Sequence, residues 1–132
     1  MSQESILIVD DNVDNLELTK VLLECEGFEV RLAEDAAQAL DRLAAYRPDL
    51  ILMDVQMPGM DGLELTRKLR RDPRLRDVII VALTAYAMKS DEDAARAAGC
   101  DGYITKPINT RTFPTAVRAY LNPAVVEKRP RV

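Results

Sequence analysis

Three stretches of the chain are continuously apolar: Ile6-Leu7-Ile8-Val9, Leu50-Ile51-Leu52-Met53 and Val78-Ile79-Ile80-Val81-Ala82-Leu83. Each is short and ends at polar or turn-forming residues, so each reads as a strand buried on both faces of a parallel sheet. They predict strands over Ser5–Val9, Leu50–Asp54 and 78–83. A fourth stretch, 28–33, alternates apolar and charged residues, as expected of a strand near the sheet edge with one wetter face. A short fifth, Gly102–Thr105, runs into Lys106-Pro107.

Between the strands the apolar residues recur at helical spacing. A helix is predicted over 12–26, with Leu18, Val21, Leu22 and Cys25 on its inward face, Asn12 or Asp14 as its cap and Gly27 after its end. A second is predicted over 35–46, with Ala36, Ala39, Leu40 and Leu43 inward, and Pro48 stops it. A third runs from about residue 63 to 71, after Gly62 and before Pro73, with Leu65 and Leu69 inward. The fourth, 90–98, offers mostly alanine (Ala94, Ala95, Ala97, Ala98), which propagates a helix but buries little area. It is therefore expected to dock shallowly and to be free to shift. The fifth, about 109–121, places Phe113, Ala116, Val117, Tyr120 and Leu121 on one face.

Five strands alternating with five helices predict an α/β fold: a doubly wound five-stranded parallel sheet with right-handed crossovers. The wetter second strand belongs at an edge and the first, third and fourth at the centre, which gives the flavodoxin-like order 2-1-3-4-5. No internal repeat and no second domain is evident. The domain is expected to span 5–121, with 122–132 as a flexible charged tail.

Composition narrows the class. With 132 residues, 48% hydrophobic and 30% charged, the chain has the size and balance of one soluble globular domain. A net charge of -4 argues against nucleic acid as a partner. The local exception, Arg67-Lys68-Leu69-Arg70-Arg71 with Arg74 and Arg76, reads as a solvated helix face and loop. No apolar run is long enough to span a membrane, and the first residues lack the basic region of a signal peptide, so a cytoplasmic protein is expected. Cys25 and Cys100 form no CxxC motif and are expected to be reduced, half-buried thiols. Histidine is absent.

The candidate chemistry lies at the carboxyl ends of the strands, where open α/β sheets place their ligands. The predicted order gathers Asp10 and Asp11, Asp54, Thr84 and Lys106 at one rim. Three crowded carboxylates repel one another unless a cation joins them. A hard divalent ion meets that need: Mg²⁺, with Mn²⁺ as the other candidate, takes oxygen ligands and keeps several waters. Lys106 adds a positive charge and Thr84 a hydroxyl donor. A carboxylate, a metal, an ammonium and a hydroxyl around one small space suit phosphoryl transfer. Carboxylates are the only nucleophiles on offer, so Asp54 is the natural acceptor and would form an acyl phosphate. Each feature alone has a plainer account, since an aspartate after a strand is usually a turn former or helix cap. Their coincidence at four strand ends is what carries weight.

These residues resemble a known family. Leu7-Ile8-Val9-Asp10-Asp11-Asn12, Asp54-Val55-Gln56-Met57-Pro58-Gly59-Met60-Asp61-Gly62, Leu83-Thr84-Ala85 and Thr105-Lys106-Pro107 stand in the order and spacing of the receiver domain of bacterial two-component response regulators. The resemblance implies that Asp54 is the phosphoacceptor. It also implies that Asp11, Asp54 and the backbone carbonyl of Gln56 bind Mg²⁺, with Asp10 acting through water. Thr84 and Lys106 would contact the phosphoryl group, Tyr103 would be the switch aromatic, and the bond preceding Pro107 would be cis. Tyr103 has a plainer role open to it as a core ring with its hydroxyl at the surface. The segments Tyr86-Ala87-Met88-Lys89 and Ala98-Gly99-Cys100-Asp101-Gly102-Tyr103 resemble stand-alone regulators of the cell-cycle DivK type and receivers fused to hybrid kinases. A stand-alone, single-domain regulator is expected; the alternative is a receiver fragment of a larger regulator or hybrid kinase.

The function implied is phosphorelay signalling rather than enzymatic turnover of a substrate. A histidine kinase or histidine phosphotransfer protein would donate to Asp54, and the missing histidine suits an acceptor supplied from elsewhere. Thr84 would be drawn in, Tyr103 would turn inward and the fourth helix would shift, which changes a surface of helix 4, strand 5 and helix 5 read by a downstream protein. Gln56 and Tyr86 lie two residues after Asp54 and Thr84, where the family tunes water access, and the bulk of Tyr86 predicts slow self-hydrolysis. A Mg²⁺-dependent aspartyl phosphatase of the haloacid dehalogenase type needs a general-acid aspartate where Gln56 stands. A phosphorylation-independent binding module would not need the full acidic set with Thr84 and Lys106.

Overall fold

The computed structural model describes residues 4–55, 61–85 and 89–121. The 122–132 tail, Gln56 and Tyr86 lie outside the described residues. In chain order the elements are β1 (Ser5–Val9), α1 (Val13–Cys25), β2 (Glu29–Ala33), α2 (Ala36–Ala45), β3 (Leu50–Asp54), α3 (Gly62–Arg70), β4 (Ile79–Thr84), α4 (Lys89–Ala98), β5 (Gly102–Thr105) and α5 (Phe113–Tyr120). All strand pairs are parallel, and the sheet order is β2-β1-β3-β4-β5. The expected doubly wound α/β architecture is therefore the observed one.

The two faces of the sheet carry separate cores, because alternate strand residues point to opposite sides. Leu7, Val9, Ile51, Met53, Ile80 and Ala82 pack with Ala39 and Leu43 of α2, Leu65 and Leu69 of α3 and Ala95 of α4. On the other face Ile6, Ile8, Leu50, Leu52, Val81 and Leu83 pack with Leu16 and Leu23 of α1 and with Phe113 and Val117 of α5. Asn12, Asp35 and Asp61 accept from the backbone N–H three residues on and cap α1, α2 and α3.

Four expectations need correction. In α1 the buried residues are Leu16, Thr19 and Leu23, whereas Leu18 and Val21 are 41% and 57% exposed and Cys25 is exposed. The helix carries two competing apolar stripes. The inward one includes a threonine whose hydroxyl donates to the carbonyls of Asn15 at 2.7 Å and Leu16 at 3.2 Å, so it needs no water. In α5 the helix begins at Phe113 rather than near 109. The Asn109 side chain accepts from the N–H groups of Arg111 and Thr112 and makes a turn of that segment first, and Pro114 then opens the helix. The cysteines are not alike: Cys25 is exposed and Cys100 buried, and both are free thiols. Within the basic run, Arg70 is not solvated; its side chain is 15% exposed and paired with Asp101.

Candidate functional site

The strand register brings the carboxyl ends level. Val9 pairs with Met53, Asp54 with Leu83 and Thr84 with Thr105. Asp10, Asp54, Thr84 and Lys106 therefore emerge at one rim. The Lys106 N–H donates to the Thr84 carbonyl at 2.7 Å, which fixes the turn out of β5 against the end of β4. The Lys106–Pro107 peptide is cis.

The side chains converge as well. Lys106 Nζ lies 3.3 Å from Asp10 Oδ2 and 3.4 Å from Asp54 Oδ2. Asp10 and Asp54 are almost fully buried, and Thr84 is buried beside them. Asp10 Oδ1 accepts from the N–H of Asn12 at 2.9 Å, which holds the carboxylate at the foot of α1. Asp11 is exposed at the mouth. Asp10, Asp11 and Asp54 each offer a carboxylate oxygen, and those oxygens lie within 4.8 Å of one another. Among the described residues one ammonium pairs with the two buried carboxylates, and the exposed Asp11 adds a third beside them, so like charges crowd at the rim.

That donor set fits a hard divalent ion. It consists of oxygens only, it is net negative, and the buried Asp10 Oδ2 is ion-paired with Lys106 but makes no hydrogen bond among the described residues. Gln56, the further candidate ligand, lies outside the described residues.

Tyr103 sits on β5 and is partly buried against the core that faces α3 and α4. Its carbonyl accepts from the Tyr120 hydroxyl at 3.3 Å. With Thr84, Val55, Leu63, Asp91 and Ala94 it lines a cavity of about 160 Å³ between the rim and α4. The cavity exists because alanines are what α4 presents here.

Three contributors were missed in the sequence. Gly62 opens α3 directly against the Asp54 backbone: a Cβ there would collide with the Asp54 carbonyl, so only glycine lets α3 approach the acidic rim. A glycine directly after the Asp61 cap was the available signal. Leu63 and Val55 wall the cavity, and nothing in the hydrophobic pattern distinguishes them from core residues.

A profile of the response regulator receiver domain matches residues 6–118. The chain is 43% identical over 121 residues to the polar-differentiation response regulator DivK of Brucella anthropi, covering 92% of this chain and 98% of that protein. Among solved structures, the chemotaxis protein CheY4 of Vibrio cholerae superposes with a TM-score of 0.86 at 28% identity, over 90% of this chain and 99% of that one. The signal receiver domain of a histidine kinase from Syntrophus aciditrophicus superposes with a TM-score of 0.81 at 32% identity, over 98% and 96%.

Proposed function

The chain belongs to the response regulator receiver domain family of two-component signalling, and from that premise we propose that Asp54 is the residue that accepts the phosphoryl group. The donor is a phosphohistidine of a histidine kinase or a histidine phosphotransfer protein. An Asp54 carboxylate oxygen attacks phosphorus as the P–N bond breaks, and the imidazole nitrogen leaves with the bonding pair. The product is an acyl phosphate. The observation that carries this reading is the position of Lys106 Nζ, within 3.4 Å of both Asp10 and Asp54 at the level of Thr84.

Each residue has a part in it. Lys106 balances charge on the phosphoryl oxygens, and its tether to the Thr84 carbonyl keeps it at the rim. The Thr84 hydroxyl donates to the same oxygens. Asp10, Asp11 and Asp54, with the Gln56 carbonyl, would hold Mg²⁺ or Mn²⁺, which when bound neutralises the incoming phosphoryl charge. Once Thr84 is drawn toward the phosphoryl group, Tyr103 turns into the cavity and α4 moves over its alanines. A downstream protein then reads the altered surface of α4, β5 and α5. The receiver occupies 5–121, catalyses only its own phosphorylation and dephosphorylation, and works in the cytoplasm.

The test is transfer from a phosphohistidine donor in the presence of Mg²⁺. The wild-type chain should take up label that chelation prevents, Lys106→Ala should take it up more slowly, and Asp54→Asn should take up none. Undiminished labelling of Asp54→Asn would refute the acceptor assignment.

A further inference from the structure

Arg70, at the end of α3, does more than its basic neighbours. Its Nε donates to the Gly99 carbonyl at 2.9 Å, and Nη1 donates to the carbonyls of Val78 at 2.6 Å and Arg76 at 2.9 Å. Its Nη2 donates to Asp101 Oδ2 at 3.0 Å. The same Asp101 oxygen accepts from the Ile80 N–H at 2.9 Å, and the Asp101 N–H donates to the Ile80 carbonyl at 2.7 Å. The carboxylate is 1% exposed, so this pair survives dehydration through the surrounding hydrogen bonds. One side chain thereby joins α3 to the turn before β4 and to the end of α4, and through Asp101 to Ile80 of β4.

The end of α4 is shaped to receive it. Cys100 N–H donates to the Ala95 carbonyl and Gly99 N–H to the Arg96 carbonyl, both at 3.0 Å, which closes the helix with a left-handed residue. That residue is Gly99, at φ +113°, and a Cβ there would lie 2.8 Å from Arg70 Cγ. Glycine at this position thus serves the helix end and the arginine together. The other end of α4 has no comparable anchor among the described residues. Ahead of Arg96 the helix overlies the cavity of about 160 Å³, with Asp91, Ala94 and Ala95 among its lining.

We infer that Arg70 is a positioning residue that pins α4 at Gly99, so that the helix answers charging of Asp54 by pivoting about its carboxyl end instead of sliding as a whole. The inference rests on the phosphoacceptor reading above. It assigns the changing part of the partner surface to α4 ahead of Arg96, while 99–101 keeps its place. Loss of stability in an Arg70 variant would not by itself distinguish this role from plain packing, so the readout is where the response to charging stops.

The experiment is amide hydrogen exchange on the full chain, with and without beryllofluoride and Mg²⁺ as a lasting phosphoryl mimic. In the wild type, protection should change by about tenfold or more over Asp91–Ala95 and stay nearly constant at Gly99, Cys100 and Asp101. In Arg70→Gln, and in Gly99→Ala, which displaces the arginine, the change should spread through 99–101; Arg70→Lys, which keeps charge but loses the fork, should fall between. Equal changes at both ends of wild-type α4, or an Arg70→Gln pattern identical to wild type, would overturn the pivot. Should Arg70→Gln not fold, the wild-type arm alone decides. No response anywhere, Asp54 and Thr84 included, would instead bring down the phosphoacceptor reading and the pivot with it.

Discussion

Asp10 is 1% exposed, yet it shares one ammonium with Asp54 and has Asp11 close by. A fold that gathers like charges this way stores repulsion among them. Asp11 is the member that can be neutralised with least other loss, since it is exposed. In metal-free buffer Asp11→Asn should raise stability by about 1 kcal/mol, or roughly 4 °C in melting temperature. Added Mg²⁺ should raise the wild type more than the variant, because binding to the folded state is what stabilises. A variant that melts lower than wild type in chelator would contradict this charge account. The two thiols make a second residue-level test. Burial pushes the Cys100 thiol up to about 11 from 9.0, so the folded state holds its proton more tightly than the unfolded chain. The sign follows: stability is unaffected below pH 9.0 and falls as pH rises toward about 11. The loss should be on the order of 3 kcal/mol at most, and Cys100→Ala should remove it from the unfolding curve. At neutral pH a thiol reagent should modify Cys25 alone in the native protein. Equal rates at both cysteines would refute the assigned burial.

Most elements were legible because each has one apolar pattern, and α1 is the instructive exception. Its sequence supports two stripes, and the choice between them rests on a threonine that satisfies its own hydroxyl on the preceding turn. Periodicity counts Thr19 as polar and so selects a stripe of which the fold tucks in only Leu22, partly buried against the core, and leaves Leu18, Val21 and Cys25 exposed. Substitution separates the faces: Leu23→Ala should cost about 2–4 kcal/mol in urea unfolding, and Leu18→Lys should change stability by no more than about 0.5 kcal/mol. The reverse order would mean that α1 is rotated from its described position. The start of α5 was misplaced for a related reason, since the Asn109 side chain offers the backbone a turn that competes with helix. At the start of α3, Gly62→Ala should be destabilising by roughly 2 kcal/mol or more, because the added methyl meets backbone that cannot yield without moving Asp54. A neutral Gly62→Ala would show that α3 can retreat from the rim.

Over the whole molecule, sheet order was readable because parallel strands need crossovers and only the second strand alternates. That order alone placed the aspartates, Thr84 and Lys106 at one edge, so the candidate site followed from topology plus residue type. Contacts that depend on side-chain reach were not readable. Arg70 sits in a run of cations indistinguishable by composition, and its burial depends on Asp101, which is 31 residues away in sequence. The cavity under α4 depends on what the helix lacks, and its alanines hinted at shallow docking without locating the space.

Everything proposed for the rim depends on Asp54 being the phosphoacceptor. That assignment is tested by incubating the full chain with acetyl phosphate and Mg²⁺ and mapping the added mass by peptide mass spectrometry. One phosphoryl group per chain is expected, located on Asp54, labile to hydroxylamine as an acyl phosphate is, and absent when Mg²⁺ is chelated. A stable phosphoryl group on a serine, threonine or tyrosine, or the same added mass on the Asp54→Asn variant, would contradict it.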